Sequence, residues 1–577
     1  MERLNFIKTG KHECQDCNKC IRECPVKAIR VQDNCALVVP EFCIMCGNCT
    51  LACPSNAKQV YDDLPSAKAL IKCKRAVIAS LAPSFVAQFP GLPPAQLIRA
   101  LKKLGFFAVS ETALGAQQVS ASISALMQSN EKQIWISSAC PATVDYIRKY
   151  HPENLPYLCG VLSPLLTHCK MLRAWYGDDI AIVSIGPCIA AKREADEHPE
   201  LLDVVLTFED LERWLDEQNI QPAELVASPD DRFEPARAEE GALYPIEGGM
   251  ASGVEDASAE RNLEFLSVSG MHNVEQALKD ISQWKPGRNI FFEMNACAGS
   301  CINGPKAARN TSVARRRYEV IQYAKMAVGL PRTLSVEISK QHEAAPVARN
   351  HYSDLQLHDA LRTVGKHSPE DELNCGGCGY DSCRDFAHAL IDHNAERMMC
   401  ATYTRKLAQK KANALLQKMP SAVVIVDGDL KIIDCNVNFL HLFAADVEQT
   451  KDLEGSAIAA VIPFSYLFRR VLDAGEDIVS HDIRYQRCIL NTSVFTIEPN
   501  SVMCGIFQDI TKPVFQKEQI IGRAREVIQK NLNTVQQIAF LLGENAADSE
   551  IILNSIVRSF SPEEIDDSEG GGTSEQR

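Results

Sequence analysis

Long hydrophobic runs are missing from this chain. No stretch of about 18 apolar residues exists that could span a bilayer, and Met1–Gly10 lacks the apolar centre of a secretory signal. A cytoplasmic protein with no membrane partner is expected. Aromatic residues are sparse at 7%, yet 46% of the residues are hydrophobic and 23% charged, the balance of a globular chain. Basic charge is in short supply: 60 Lys and Arg against 74 Asp and Glu leave a formal net charge of −14. Binding through phosphate contacts needs the opposite balance, so no nucleic-acid partner is expected. At 577 residues the chain exceeds one ordinary hydrophobic core, which predicts several domains.

Cysteine, by contrast, is abundant, with 23 residues. Reducing thiol pools keep structural disulfides rare in the cytosol, so tight cysteine clusters there point to metal. Sixteen fall into such groups. Cys35, Cys73, Cys159, Cys169, Cys435, Cys488 and Cys504 belong to no ligand spacing and are expected to pack as small apolar residues.

Cys14, Cys17, Cys20 and Cys24, followed by Pro25, spell CxxCxxCxxxCP, and Cys43, Cys46, Cys49 and Cys53, followed by Pro54, repeat it. This is the bacterial ferredoxin pattern, in which the fourth cysteine of each run serves the other cluster. One 4Fe–4S cluster would take Cys14, Cys17, Cys20 and Cys53; the other, Cys43, Cys46, Cys49 and Cys24. Tight loops between the thiolates let backbone N–H groups point at the sulfides. Zinc rarely needs three cysteines at such spacing twice over. Paired clusters imply electron transfer.

Beyond them, the apolar runs Ala76–Ala82, Gln133–Ser137 and Ile180–Ile185 read as buried strands, separated by the amphipathic stretches Pro94–Lys103 and Ser163–Trp175. Cys140 in SSACPATV, Cys188 in IGPCIAAKREAD, and Cys297 and Cys301 in FFEMNACAGSCINGP lie far apart. Three of the four follow strand-like segments, where an α/β fold gathers its site. These segments, in this order behind a twin-cluster domain, resemble the three signature motifs of iron-only (di-iron) hydrogenases. SLAPSFVAQF (Ser80–Phe89) is similar to a further family segment.

The resemblance covers about residues 1–330. It implies that Cys140, Cys188, Cys297 and Cys301 hold a 4Fe–4S cubane and that Cys301 bridges it to a di-iron subcluster with CO, cyanide and a dithiolate amine. Hydrogen would be split there heterolytically, with the amine accepting the proton. Ser84 would donate to one cyanide and Lys192 would pair with the other, a charge-assisted contact. The residues depart from the family where protons move. Ala139 stands where the family carries a cysteine that serves as proton shuttle. Gly115 and Ala116 replace an acidic pair, while Glu194 keeps an acid. Gly186 and Asn295 replace methionines, and Lys192 falls one place late. A positioned acid or base contributes ~10²–10⁴ in rate, so slow turnover is expected.

Cys375, Cys378, Cys383 and Cys400 form CGGCGYDSC, sixteen residues, then the last cysteine. This resembles a small 4Fe–4S domain of electron-transfer and corrinoid-linked proteins; four thiolates at this spacing also suit zinc. MPSAVVIVDGDLKIIDCNVNFLHLF resembles the start of a PAS domain, with strands at Ala422–Val426, Leu430–Asp434 and Val502–Gln508, a turn at Asp427–Asp429, and Asn436 opening a short helix. Cys435 and His441 read as packing residues rather than ligands. Ile521, Ala524, Ile528, Asn531, Val535, Ile538 and Leu542 recur in steps of three and four, a coiled-coil seam with one polar core position, or else a helix packed on the PAS domain.

The expected fold is multidomain α/β and α+β: a ferredoxin-like twin-cluster domain (1–75), a two-lobed α/β hydrogenase domain (76–345), a small helical 4Fe–4S domain (346–412), a PAS domain (413–515), a coiled-coil-like helix (516–560) and a disordered tail (561–577). The expected function is a slow iron-only hydrogenase that senses hydrogen. Its partners would be H2 and protons, with ferredoxin or a signalling protein as redox partner, in a homodimer. A metabolic ferredoxin-linked hydrogenase and a cluster-assembly scaffold without the di-iron unit are the alternatives.

Overall fold

The computed structural model describes residues 6–511, apart from 75, 130–131, 258–262, 282, 285–288, 326–335, 448 and 500, together with 526–531 and 533–535. The chain divides into two compact units, Met1–Met399 and Cys400–Arg577. The division falls inside the segment 346–412, so Cys375, Cys378 and Cys383 belong to the first unit and Cys400 to the second.

At the start of the first unit the sequence duplication becomes a structural one. Ile7–Thr9 pairs antiparallel with Lys58–Val60, and Ile29–Gln32 with Cys35–Val38. Each cysteine run feeds a short helix, Lys19–Arg22 or Asn48–Ala52, that carries its third cysteine. Both helices are entered through a left-handed residue, Asn18 (φ 56°) or Gly47 (φ 78°). Asn tolerates that conformation and Gly adopts it without strain.

Two all-parallel sheets follow. One runs in the order Ala108–Glu111, Val77–Leu81, Ala181–Gly186, Val204–Thr207; the other, Leu263–Ser269, Asn289–Asn295, Ile134–Ile136. Every residue of Val77–Leu81 and Ala181–Gly186 is buried. This accounts for the unbroken apolar runs, since parallel strands are covered on both faces. The helices Pro94–Lys103 and Pro164–Tyr176 each carry proline in their first turn, where its missing N–H costs nothing. Leu97, Ile98 and Leu101 enter the core under the first sheet, each worth about 1.5–3 kcal/mol on burial. Ser163 caps the second helix by accepting from Leu166 N at 3.3 Å.

In the second unit the helix Ala401–Lys418 leads into an antiparallel sheet ordered Ile432–Cys435, Ala422–Asp427, Val502–Asp509, Cys488–Glu498, Ile478–Tyr485. Its second strand begins at Ile432 rather than Leu430, because Leu430 takes φ 62° in the turn. Asn436 caps the helix Val437–Phe443, accepting from Phe439 N at 3.0 Å. The strands Ile478–Tyr485 and Cys488–Glu498 were not legible in sequence. The first is mostly exposed and polar, with little alternation to mark it. Phe439, Phe443, Phe464 and Phe507 interlock at centroid distances of 5.0–6.1 Å and fill the core of this domain.

Of the coiled-coil seam, Ile528, Asn531 and Val535 are described and helical. Ile521, Ala524, Ile538 and Leu542 lie outside the described residues, as does the tail. Among the described residues no helix is long and apolar enough to cross a membrane.

Candidate metal-cluster centre

The strand ends deliver the central cysteines. Cys140 follows Ile134–Ile136 and opens the helix Pro141–Tyr150, Cys188 follows Ala181–Gly186, and Cys297 and Cys301 follow Asn289–Asn295. The four thiols converge. Burial raises Cys297 well above the ordinary thiol range, and Cys301, Cys140, Cys188 and also Cys46 add to the rise. Burial pushes Cys188 up to about 12, with Cys140 acting in the same sense. A thiol so destabilised as an anion needs a cation to become a ligand, which iron would supply.

The twin motif assembles in the crossed pairing. Burial raises the Cys20 thiol, Lys58 opposes the rise, and Cys17, Cys14 and Cys53 reinforce it. For Cys49, burial leads and Cys24 and Cys43 follow. Backbone N–H groups donate to sulfur as the loop geometry requires: Ala28 N to Cys24 Sγ at 3.3 Å, Met45 N to Cys43 Sγ at 3.3 Å, and Ala57 N to Cys53 Sγ at 3.2 Å. Cys35, which belongs to no ligand spacing, lies close to Cys14. The two domains touch at Gly47, where a β-carbon would stand 2.6 Å from Pro305 Cγ. That closeness leaves Cys46 facing the central thiols.

A cavity of about 160 Å³ adjoins the central cysteines, with predominantly apolar walls that include Ala82, Ala139 and Met250. Ser84 lines it, 2% exposed, and its Oγ is a buried polar atom with no hydrogen-bond partner. Glu293 also lines it, with its carboxylate held by Gly248 N (3.2 Å), Ala251 N (3.0 Å) and Asn295 Nδ2 (3.0 Å). Glu194 sits on the cavity and on a second, smaller one of about 30 Å³ shared with Asp145, Glu197, Lys340 and His342. Burial raises the Glu194 carboxyl to about 7, with the nearby Ser163 hydroxyl acting the other way.

Lys192 departs from its expected place. It is fully buried, and its Nζ bonds Asp63 Oδ2 at 2.6 Å and Val205 O at 2.8 Å. Ala191, one position earlier, lines the cavity instead. The one-residue offset seen in sequence goes with an ammonium turned towards Asp63, and Lys192 is not among the residues that line the cavity. At the acid-pair positions, Ala116 lines the cavity, whereas Gly115 is pressed against the helix Pro164–Tyr176.

Of the last group, Cys383 N donates to Asn374 Oδ1 at 2.8 Å, and Cys400 caps the helix Ala401–Lys418. The Cys375–Cys383 loop rests on the twin-cluster domain: Lys27 Nζ donates to Gly379 O at 3.0 Å and pairs with Asp381 at 3.3 Å. Burial raises the Tyr380 hydroxyl, and both Cys378 and Cys24 add to that rise. Tyr380 thus lies near both Cys378 and Cys24. Among the described residues, no group of three or more His, Cys, Asp or Glu is spaced for a single metal ion.

Comparison with known proteins matches residues 75–305 to the family "Iron only hydrogenase large subunit, C-terminal domain", residues 6–54 to "4Fe-4S dicluster domain" and residues 371–413 to "Putative Fe-S cluster". The chain carries an iron-only-hydrogenase-like domain and 4Fe–4S domains. It is 23% identical over 366 residues to the periplasmic [Fe] hydrogenase large subunit of Nitratidesulfovibrio vulgaris, covering 52% of this chain and 86% of that one. It is 24% identical over 255 residues to a probable cytosolic Fe-S cluster assembly factor of Drosophila persimilis, covering 35% of this chain and 54% of the relative. A solved [FeFe]-hydrogenase from Chlamydomonas reinhardtii aligns with 18% identity over 50% of this chain and all of that one, at a TM-score of 0.38.

The residues fit the group that the hydrogenase-like domain implies. Cys140, Cys188, Cys297 and Cys301 would hold the cubane. The cavity beside Cys301 offers apolar walls and one unpartnered hydroxyl, a donor for an anionic or polar ligand atom.

Proposed function

We propose that this protein is a slow iron-only hydrogenase that senses hydrogen and passes its redox state to a PAS module. The observation that carries the reading is the cavity beside Cys301, with the Ser84 hydroxyl left unpartnered in its wall. The di-iron group, when bound, supplies heterolytic splitting of H2. The chain's own residues position it, exclude water and offer the hydroxyl. Ala139, on the cavity wall, has no proton to exchange. Glu194, on both cavities, is the carboxyl that can take protons outward.

The sensory half rests on the second unit. Cys400, the last of the fourth cysteine group, opens a single helix whose other end is bonded into the sheet domain. Gln417 Nε2 donates to Cys435 O at 3.1 Å and Asn436 Nδ2 to Leu416 O at 3.2 Å. The five-stranded antiparallel sheet of that domain supports the PAS reading. A cytoplasmic location, a homodimer and a signalling protein as redox partner belong to the same proposal.

A second reading is favoured by the likeness to proteins named as cytosolic Fe-S cluster assembly factors, in which case the chain would be a scaffold. Turnover and iron content separate the two. The matured protein is expected to reduce its clusters under hydrogen while turning over far more slowly than an enzyme with the shuttle cysteine. Turnover equal to such an enzyme contradicts the sensory role. About sixteen irons, the content of four 4Fe–4S clusters alone, with no hydrogen-dependent reduction contradicts the hydrogenase reading.

A further inference from the structure

The twin-cluster domain is one motif built twice, and one buried position breaks the match. Cys24-Pro25-Val26-Lys27-Ala28 is followed by Ile29, and Cys53-Pro54-Ser55-Asn56-Ala57 by Lys58. The backbone repeats closely: the alanine N–H donates to the cysteine sulfur in both halves, and both following residues begin a strand. Ile29 is 1% exposed and Lys58 5%. A buried apolar side chain in one half is a buried cation in the other.

Ile29 shows that the fold does not require a charge at this position. Lys58 Nζ is held in place by the Thr9 hydroxyl at 2.8 Å and by the Ala36 carbonyl, and among the described residues no carboxylate pairs with it. A buried ammonium supported only by neutral groups is costly unless negative charge lies nearby. The groups that supply it are the two cysteine sets. Lys58 directly follows Ala57, whose N–H donates to Cys53 Sγ at 3.2 Å, and it lies near Cys20 of the first set and Cys49 of the second. Cys35, next to the Ala36 carbonyl that holds Nζ, lies near it as well.

We propose that Lys58 is a positioning residue for electrons: a fixed positive charge beside the ferredoxin-type clusters that raises their reduction potential. A 4Fe–4S cluster on four thiolates gains one negative charge when it accepts one electron, with no bond made or broken. A cation held at fixed distance in a low-dielectric interior stabilises the reduced form more than the oxidised one. Electrons delivered to the twin-cluster domain are therefore retained there. The inference rests on the twin motif holding two clusters and is independent of hydrogen chemistry.

The test is a dithionite titration of the full-length, cluster-loaded protein, with the twin-cluster signals followed by electron paramagnetic resonance. Lys58→Met and Lys58→Gln remove the charge, and Lys58→Arg keeps it. Both neutral variants are expected to shift the reduction equilibrium at least tenfold towards the oxidised form, about 59 mV for a one-electron couple. Arg should stay near the parent value. Wild-type midpoints in the neutral variants with full iron content would overturn the proposal. So would a shift as large in Arg as in Met, which would assign the effect to packing. Loss of iron from both neutral variants but not from Arg would also overturn it, making Lys58 a requirement for cluster retention.

Discussion

Gly115 lies so close to His168 that a β-carbon on it would stand 2.7 Å from the His168 backbone nitrogen, and nearer still to Pro164 O. The acid that the hydrogenase family places at this position is therefore excluded by space as well as missing. Gly115→Ala is expected to destabilise the protein by ~1–3 kcal/mol through overpacking, read as a lower Tm. Unchanged Tm would mean that the helix Pro164–Tyr176 yields.

Ala139 is different, because it stands on the open cavity wall. Ala139→Cys is expected to fold normally and to raise turnover by at least about tenfold, within the range of a positioned proton-transfer group. Adding Gly115→Glu should give no further gain, since its side chain has nowhere to go. A hydrogen-evolution assay on both variants decides this.

Glu194 bridges the two cavities, with its carboxyl raised to about 7 by burial. Glu194→Gln, which keeps the shape but not the proton, is expected to lower turnover ~10²-fold without changing iron content. Activity equal to the parent would place the proton exit elsewhere.

The cysteine groups were legible in sequence because a cluster motif is local: spacing alone brings Cys14, Cys17 and Cys20 to one loop. The central four were legible through strand ends and through resemblance. Lys192 was misplaced because its partner, Asp63, lies 129 residues away and no local pattern announces it. Lys58 was missed for a related reason. Only the fold shows that its position is buried and that it faces cysteines from both runs. Comparing the repeats beyond their cysteines, Ile29 against Lys58, was the available signal.

Lys192 and Ser84 make opposite predictions. Lys192→Met breaks a buried ion pair and is expected to cost ~3–5 kcal/mol, yet to leave the cyanide bands of the matured cluster in place. Ser84→Ala should shift a cyanide band with little change in stability. A band shift in Lys192→Met would restore the contact expected from sequence.

His168 is fully buried between Ser80 Oγ (2.8 Å from Nδ1) and Ser110 Oγ (2.9 Å from Nε2), and burial lowers its pKa to about 3. Between about pH 6.5 and pH 3 the unfolded chain binds a proton that the folded chain refuses, so stability falls as pH drops through that window, by up to about 1.4 kcal/mol per unit. His168→Gln should lose less stability than the parent between about pH 7 and pH 5.5 in denaturant titrations. Parallel losses would contradict a neutral buried imidazole.

The most direct test of the central claim is the infrared spectrum of the matured protein under argon and under hydrogen. The account predicts CO and cyanide bands from a di-iron unit in the cavity beside Cys301, and a change in those bands when hydrogen is admitted. A spectrum without such bands, on protein with its 4Fe–4S clusters intact, would contradict it.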